Sequence, residues 1–68
     1  MAQDFYINKL HKLVGSTVIM SIQDEEDGFF GLRLNQEGKL YDLWILRDDE
    51  GNGPGSFEII DLASGKEI

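Results

Sequence analysis

The sequence predicts a small α+β domain in which one N-terminal helix packs on one face of a four-stranded antiparallel meander. Two observations predict this fold class. Apolar residues recur with a helical spacing up to Gly15, and then with a period of two along the later segments. Short turns separate those segments, whereas a parallel pair of strands needs a crossover of about a dozen residues or more. The strands are therefore expected to pair in chain order.

The predicted helix begins near Asp4, which suits an N-cap or first-turn acid, and ends at Gly15, which suits a left-handed stop. Its apolar stripe consists of Tyr6, Leu10, Leu13 and Val14, at positions i, i+4, i+7 and i+8. We expect this stripe to be buried against the sheet, with Leu10 as a central contact. The expected sheet contacts are Val18, Met20, Phe30, Leu32 and Tyr41.

Four strands are predicted after the helix, over residues 16–23, 30–35, 40–46 and 56–62, and Glu67-Ile68 is a stub that pairs briefly or frays. An acidic turn ending at Gly28 and a short turn containing Gly38 connect the first three strands. The alternative to an open sheet is a strongly twisted sheet that curls toward a small barrel and buries both of its faces.

Length and composition indicate one domain spanning residues 1–68. A chain of this size buries only about 60% of the surface that its unfolded form exposes, so a partner or a second copy would contribute to its stability. The chain has no cysteine, which excludes disulfides and thiolate metal sites. Packing alone must stabilise the fold.

The charge balance limits the partners. Six basic residues against thirteen acidic residues give a net charge of −7, which repels phosphate backbones and anionic lipid headgroups. We therefore expect no direct nucleic-acid binding and no membrane binding. The apolar runs are far shorter than the roughly 20 residues that span a bilayer, and the N-terminus lacks the pattern of a secretory signal. A cytoplasmic location is expected.

The glycine-rich acidic loop 47–55 is the segment that departs most from what a minimal fold requires. Asp48, Glu50, Asn52 and Gly53 match the first part of an EF-hand loop, but Ile59 stands where the bidentate acid belongs, and strands flank the loop instead of helices. We predict no metal site and no cofactor. A weak divalent-cation site is kept as an alternative to a solvated hairpin loop.

Catalytic groups are scarce. His11 is the single histidine, it lies on the predicted helix beside the apolar stripe, and no cysteine is available as a nucleophile. The acidic residues occur as runs in turns, where carboxylates are usually all solvated and all ionised. We therefore predict no catalytic residues and expect that the protein is not an enzyme.

An excess of apolar side chains carries the functional prediction. Four of them are expected to point away from the helix-covered face and to bind a partner: Ile19, Phe29, Trp44 and Ile60. Burial of the same residues in a curled sheet is the structural alternative. The predicted function is a small acidic interaction module that binds a protein partner, or a second copy of itself, through an apolar sheet face.

Two other functions stay open at this stage. The first is an acidic nucleic-acid mimic that inhibits a nucleic-acid-binding protein, and the second is a weak divalent-metal module centred on the glycine-rich loop. The mimic depends on two clusters of acids, Asp24, Glu25, Glu26 and Asp27 in one turn, and Asp48, Asp49 and Glu50 in the other. Mimicry requires these carboxylates to be spaced along one face like phosphates.

Overall fold

The computed structural model describes residues 2–46 and 56–68, and these residues confirm the predicted α+β class. One N-terminal helix precedes an antiparallel meander, to which a short fifth strand adds at the end of the chain. The elements are α1 Ala2–His11, β1 Thr17–Asp24, β2 Phe29–Gln36, β3 Lys39–Leu46, β4 Ser56–Asp61 and β5 Lys66–Glu67. The predicted glycine-rich loop 47–55 lies outside the described residues.

The sheet is open. Its strand order is β1-β2-β3-β4-β5, and every neighbouring pair is antiparallel. Within the described residues β1 and β5 are the two edges, so the sheet does not close into the barrel that was kept as an alternative. The stub predicted at Glu67-Ile68 does pair with β4, but the strand begins one residue earlier: Lys66 pairs with Asp61 and Glu67 with Ile60.

The turn between β2 and β3 fixes the register of the central hairpin. Gln36 pairs with Lys39 across a two-residue loop in which Glu37 has φ 53° and Gly38 has φ 87°. Two consecutive residues with positive φ are typical of the type I′ turn, whose twist matches that of the flanking strands. The amide of Gly38 also donates to Oδ1 of Asn35 at 3.0 Å. Every cross-strand pair of β2 and β3 follows from this turn.

The helix, and the segment that follows it, contact the sheet through the side chains of Tyr6 and Lys9 and the main chain of Val14. The Tyr6 ring lies 5.1 Å from the Phe57 ring, measured between centroids. Lys9 Nζ forms a 2.9 Å ion pair with Glu67 Oε1 in β5. After the helix, the carbonyl of Val14 accepts a 3.0 Å hydrogen bond from the Gln36 side chain.

The predicted helical stripe is only partly correct. Tyr6 and Leu13 are half-buried, but Leu10 is 44% exposed and Val14 is more exposed still. The helix ends at His11, and the next amides bond to carbonyls three residues back, Lys12 to Lys9 and Leu13 to Leu10. A chain with three residues per turn no longer aligns positions i, i+4 and i+7. Val14 therefore leaves the predicted stripe. Leu10 lies inside the regular helix and is exposed there, so it is not the central contact that the sequence predicted.

The centre of the sheet contains the buried residues of the described chain. They are Gly31, Leu34, Asp42 and Ile59. Of the expected sheet contacts, Leu32 and Tyr41 are half-buried, whereas Val18, Met20 and Phe30 are exposed. The helix therefore covers less of the sheet than the sequence predicted.

Strand register assigns side chains to two faces, because directly paired residues of neighbouring strands share a face. The first face carries Phe30, Leu32, Leu34, Leu43, Ile45, Phe57 and Ile59. The second face carries Phe29, Gly31, Arg33, Asp42, Trp44, Glu58 and Ile60. The alternation predicted for these three strands is confirmed.

Candidate functional site

A groove of about 830 Å³ opens at one end of the sheet. It lies where β1 ends, β2 begins, β3 ends and β4 begins, so four strand termini meet beside it. Tyr6 reaches it from the helix and Glu67 from β5. The described lining residues are Tyr6, Asp24, Asp27, Phe29, Trp44, Leu46, Ser56, Phe57, Glu58 and Glu67.

Four of the described residues that line the groove are aromatic. Tyr6 and Phe57 contact each other at an interplanar angle of 53°, and Phe29 and Trp44 are half-buried on the second face of the sheet. Trp44 pairs with Gly31 on one side and with Glu58 on the other. Because Gly31 has no side chain, nothing projects from that cross-strand position next to the indole. The groove therefore offers aromatic surface that the fold leaves partly uncovered.

Four carboxylates accompany the rings, and two of them already have partners. Asp24 Oδ1 accepts the backbone amides of Glu26 at 3.0 Å and Asp27 at 3.4 Å, which stabilises the turn before β2. Glu67 is paired with Lys9. In the part of the chain that the structure describes, neither Asp27 nor Glu58 forms an ion pair.

The carboxylates do not gather into a metal site. Among residues 2–46 and 56–68, no group of three or more His, Cys, Asp or Glu side chains is arranged to hold an ion. Four acids spread around a groove of this volume impose a diffuse negative potential and offer no coordination shell. The weak divalent site considered at Asp48, Glu50, Asn52 and Gly53 lies outside the described residues.

The structure brings some of the predicted site residues together. Phe29 and Trp44, two of the four predicted partner-binding residues, both line the groove. Ile60 is half-buried on the second face, where it pairs with Asp42, and it does not line the groove. Ile19 is 47% exposed on the edge strand β1, where the pairing register shifts between Val18 and Met20.

The predicted acidic surface divides in the same way. Asp24 and Asp27 line the groove, while Glu25 and Glu26 are exposed in the same turn and do not. Asp48, Asp49 and Glu50 lie outside the described residues. The acidic turn thus supplies two carboxylates to the groove and directs two elsewhere.

Sequence reasoning missed six groove residues, namely Tyr6, Leu46, Ser56, Phe57, Glu58 and Glu67. Tyr6 had been assigned to the helical stripe and Phe57 to a strand face, and neither assignment indicates a groove. Glu58 becomes informative only once it is paired with Trp44. A nine-residue connection between Leu46 and Ser56 does not fix that register, so the sequence carried no usable signal for it.

An ion pair joins β2 and β3 on the second face, at the cross-strand position next to Trp44. Arg33 Nε and Nη2 donate to the two carboxylate oxygens of Asp42 at 2.8 and 3.0 Å. Asp42 is 4% exposed. The hydrogen bonds to Asp42, and then its charge, raise the pKa of Arg33, so the guanidinium stays protonated. This face is therefore not uniformly apolar, and its central charges neutralise each other.

Comparison of the chain with protein-family models, with curated proteins and with solved structures finds no match. No helix in residues 2–46 and 56–68 is long and apolar enough to cross a membrane.

Proposed function

We propose that the protein is a small interaction module that binds a segment of a partner protein in the groove. The observation that carries this proposal is that Trp44 and Phe29, both on the second face of the sheet, line one groove beside four strand termini. Large aromatic side chains that are partly open to solvent are the usual anchors of protein interfaces. The strands that hold these rings also contain the buried centre of the sheet, so the groove has a rigid support.

Exposed apolar surface supports a binding role more generally. Within the described residues, Leu34 and Ile59 are the buried large apolar side chains, whereas ten large apolar side chains are exposed. A fold with so small a core gains stability when a partner covers such surface. Three of the exposed residues are consecutive on the edge strand, Val18, Ile19 and Met20. This strand is where a second copy of the chain would pair.

The two alternative functions have less support. A nucleic-acid mimic needs carboxylates arrayed along one face, but the predicted acids that the structure describes, Asp24–Asp27, are confined to one turn. The metal module rests on residues outside the described chain. We therefore favour a protein partner, and we retain a cytoplasmic setting because the chain has no cysteine and needs no oxidising compartment.

Selection from a random peptide library tests the proposal without assuming a partner sequence. The wild-type protein is the bait, and the Trp44→Ala variant removes peptides that bind elsewhere. We expect enriched peptides that bind the wild type and lose affinity for Trp44→Ala. The Ile19→Ala variant is the matched control, because Ile19 lies outside the groove, and it should bind these peptides like the wild type.

Sedimentation of the purified protein tests whether the partner is a second copy of the chain. A dimer that dissociates in Trp44→Ala places the second copy in the groove, and a dimer that dissociates only in Ile19→Ala places it at the edge strand. The proposal is contradicted if the library yields no peptide sensitive to Trp44→Ala and the wild-type protein sediments as a monomer at every concentration.

A further inference from the structure

We infer that the groove selects a basic segment of the partner, in which a lysine or arginine side chain enters between the aromatic rings and the carboxylates of Asp27 and Glu58. This inference rests on the proposed function and specifies the chemistry of the partner. It follows from the charges that line the groove, from the pairing state of those charges and from a cation already bound within the molecule.

The groove is complementary to positive charge. Its described lining contains four carboxylates and no lysine or arginine, in a chain of net charge −7. Asp24 is engaged with turn amides and Glu67 with Lys9, which leaves Asp27 and Glu58 without a cation among the described residues. An acidic or neutral segment would add no cation to the two carboxylates that lack one among the described residues. A basic segment neutralises them and is steered toward the groove by its potential.

The aromatic walls favour an organic cation that also has apolar surface. The face of an aromatic ring carries a negative potential that attracts ammonium and guanidinium groups, and the indole of tryptophan is the strongest of these faces. Lysine and arginine side chains also have apolar stems that pack against rings while the charged group stays near water or carboxylates. Trp44 and Glu58 are direct cross-strand neighbours, so one incoming side chain can contact both.

The molecule already binds one of its own ammonium groups in this way. Lys9 Nζ lies 4.6 Å from the centroid of the Phe5 ring and 2.9 Å from Glu67 Oε1. Glu67 is itself a lining residue of the groove. A ring and a carboxylate therefore hold this cation outside the groove, with Glu67 as the shared residue, and the groove presents the same two kinds of group in larger number. The spread of the acids, which does not suit a metal ion, suits an extended chain with separated charges.

Amide chemical-shift titrations with synthetic peptides test this inference. The probe is a short capped peptide containing arginine among glycine and leucine, and its control is the same peptide with citrulline, a neutral isostere, in place of arginine. We expect the arginine peptide to cause saturable shifts at Asp27, Phe29, Trp44 and Glu58, and the citrulline peptide to bind at least several-fold more weakly. The arginine peptide should also lose affinity as salt is raised.

Variants separate a specific site from general attraction to an acidic protein. Glu58→Gln should weaken binding about threefold, as expected for one solvent-screened charge pair. Asp27→Asn, in the turn between β1 and β2, should weaken binding by a similar factor. Glu25→Gln removes an equal charge from the acidic turn but outside the groove, and should leave affinity unchanged. Trp44→Ala should weaken binding about tenfold, with Trp44→Phe in between.

Two results would overturn the inference. One is equal binding of the arginine and citrulline peptides, and the other is an equal loss of affinity in Glu25→Gln and Glu58→Gln, which indicates diffuse attraction only. These outcomes are distinct from failure of the proposed function. If library selection enriches neutral, apolar peptides that still depend on Trp44, the interaction module stands and the basic partner does not.

Discussion

The centre of the sheet and its groove end, both formed by β2, β3 and β4, differ in how their charged side chains are paired. At the centre, Asp42 is buried and both of its oxygens are bound by Arg33 on the neighbouring strand. At the groove end, Glu58 is half-buried beside Trp44 and forms no ion pair within the described residues. Among the described residues, the carboxylate at the centre is thus paired, whereas Glu58 at the groove end is not.

This difference separates stability from binding. A buried carboxylate must be paired, because an uncompensated charge in the interior is strongly destabilising. A carboxylate at a solvent-accessible rim carries no such penalty and can be matched by a partner instead. Substitutions at the centre should therefore unfold the protein, and substitutions at the groove end should change binding while the fold remains.

The largest expected effect on stability is at Ile59, which is 0% exposed. Ile59→Ala should lower the free energy of unfolding by about 2–5 kcal/mol, because it removes buried methyl groups and leaves a cavity. Urea unfolding measures the effect, with Ile45→Ala as control, since Ile45 is an exposed isoleucine on the adjacent strand. Equal losses for the two variants would show that the described core is not centred on Ile59.

Gly31→Ala should cost about 1–3 kcal/mol, the usual range for overpacking. A Cβ at Gly31 would collide with the main-chain carbonyl oxygen of Leu43, with the Trp44 Cα 3.1 Å away, and backbone cannot yield as a flexible side chain can. Thermal or urea unfolding of the variant measures the cost. A variant as stable as the wild type would mean that β2 and β3 do not approach each other so closely at Gly31.

Glu58→Gln should have the smallest effect on stability, within about 0.5 kcal/mol, because it removes a charge that no described residue pairs. The same variant is expected to weaken binding of the arginine peptide. Urea unfolding and peptide titration of one protein sample provide both values. A large loss of stability would place Glu58 with the centre of the sheet and would remove the distinction between the two regions.

Local sequence signals predicted most of the fold. Period-two alternation gave the two faces of β2, β3 and β4, and glycines at turn positions such as Gly15 and Gly38 adopt the expected positive φ, at 88° and 87°. The helix was predicted, but the tightening after His11 was not, because helical spacing assumes 3.6 residues per turn throughout. Val14 was misplaced for that reason, whereas Leu10 is exposed within the regular helix.

Long-range relations were harder to predict, although one of them was accessible. A two-residue turn at Glu37-Gly38 sets the hairpin register and makes Arg33 and Asp42 direct partners, so recognising the turn type would have revealed the ion pair. The pairing of Trp44 with Glu58 has no comparable signal, because it spans the long connection 47–55. Half of the predicted partner-binding residues, Phe29 and Trp44, nevertheless line the groove.

Quenching of tryptophan fluorescence by acrylamide tests the central claim most directly, because Trp44 is the single tryptophan of the chain. The claim is that the groove end of the sheet is open to a ligand while the centre is closed. In the folded monomer we expect substantial quenching that is weaker than in the urea-unfolded chain and is reduced by the arginine peptide. Near-complete shielding of Trp44 in the monomer, unchanged by the peptide, would contradict the account.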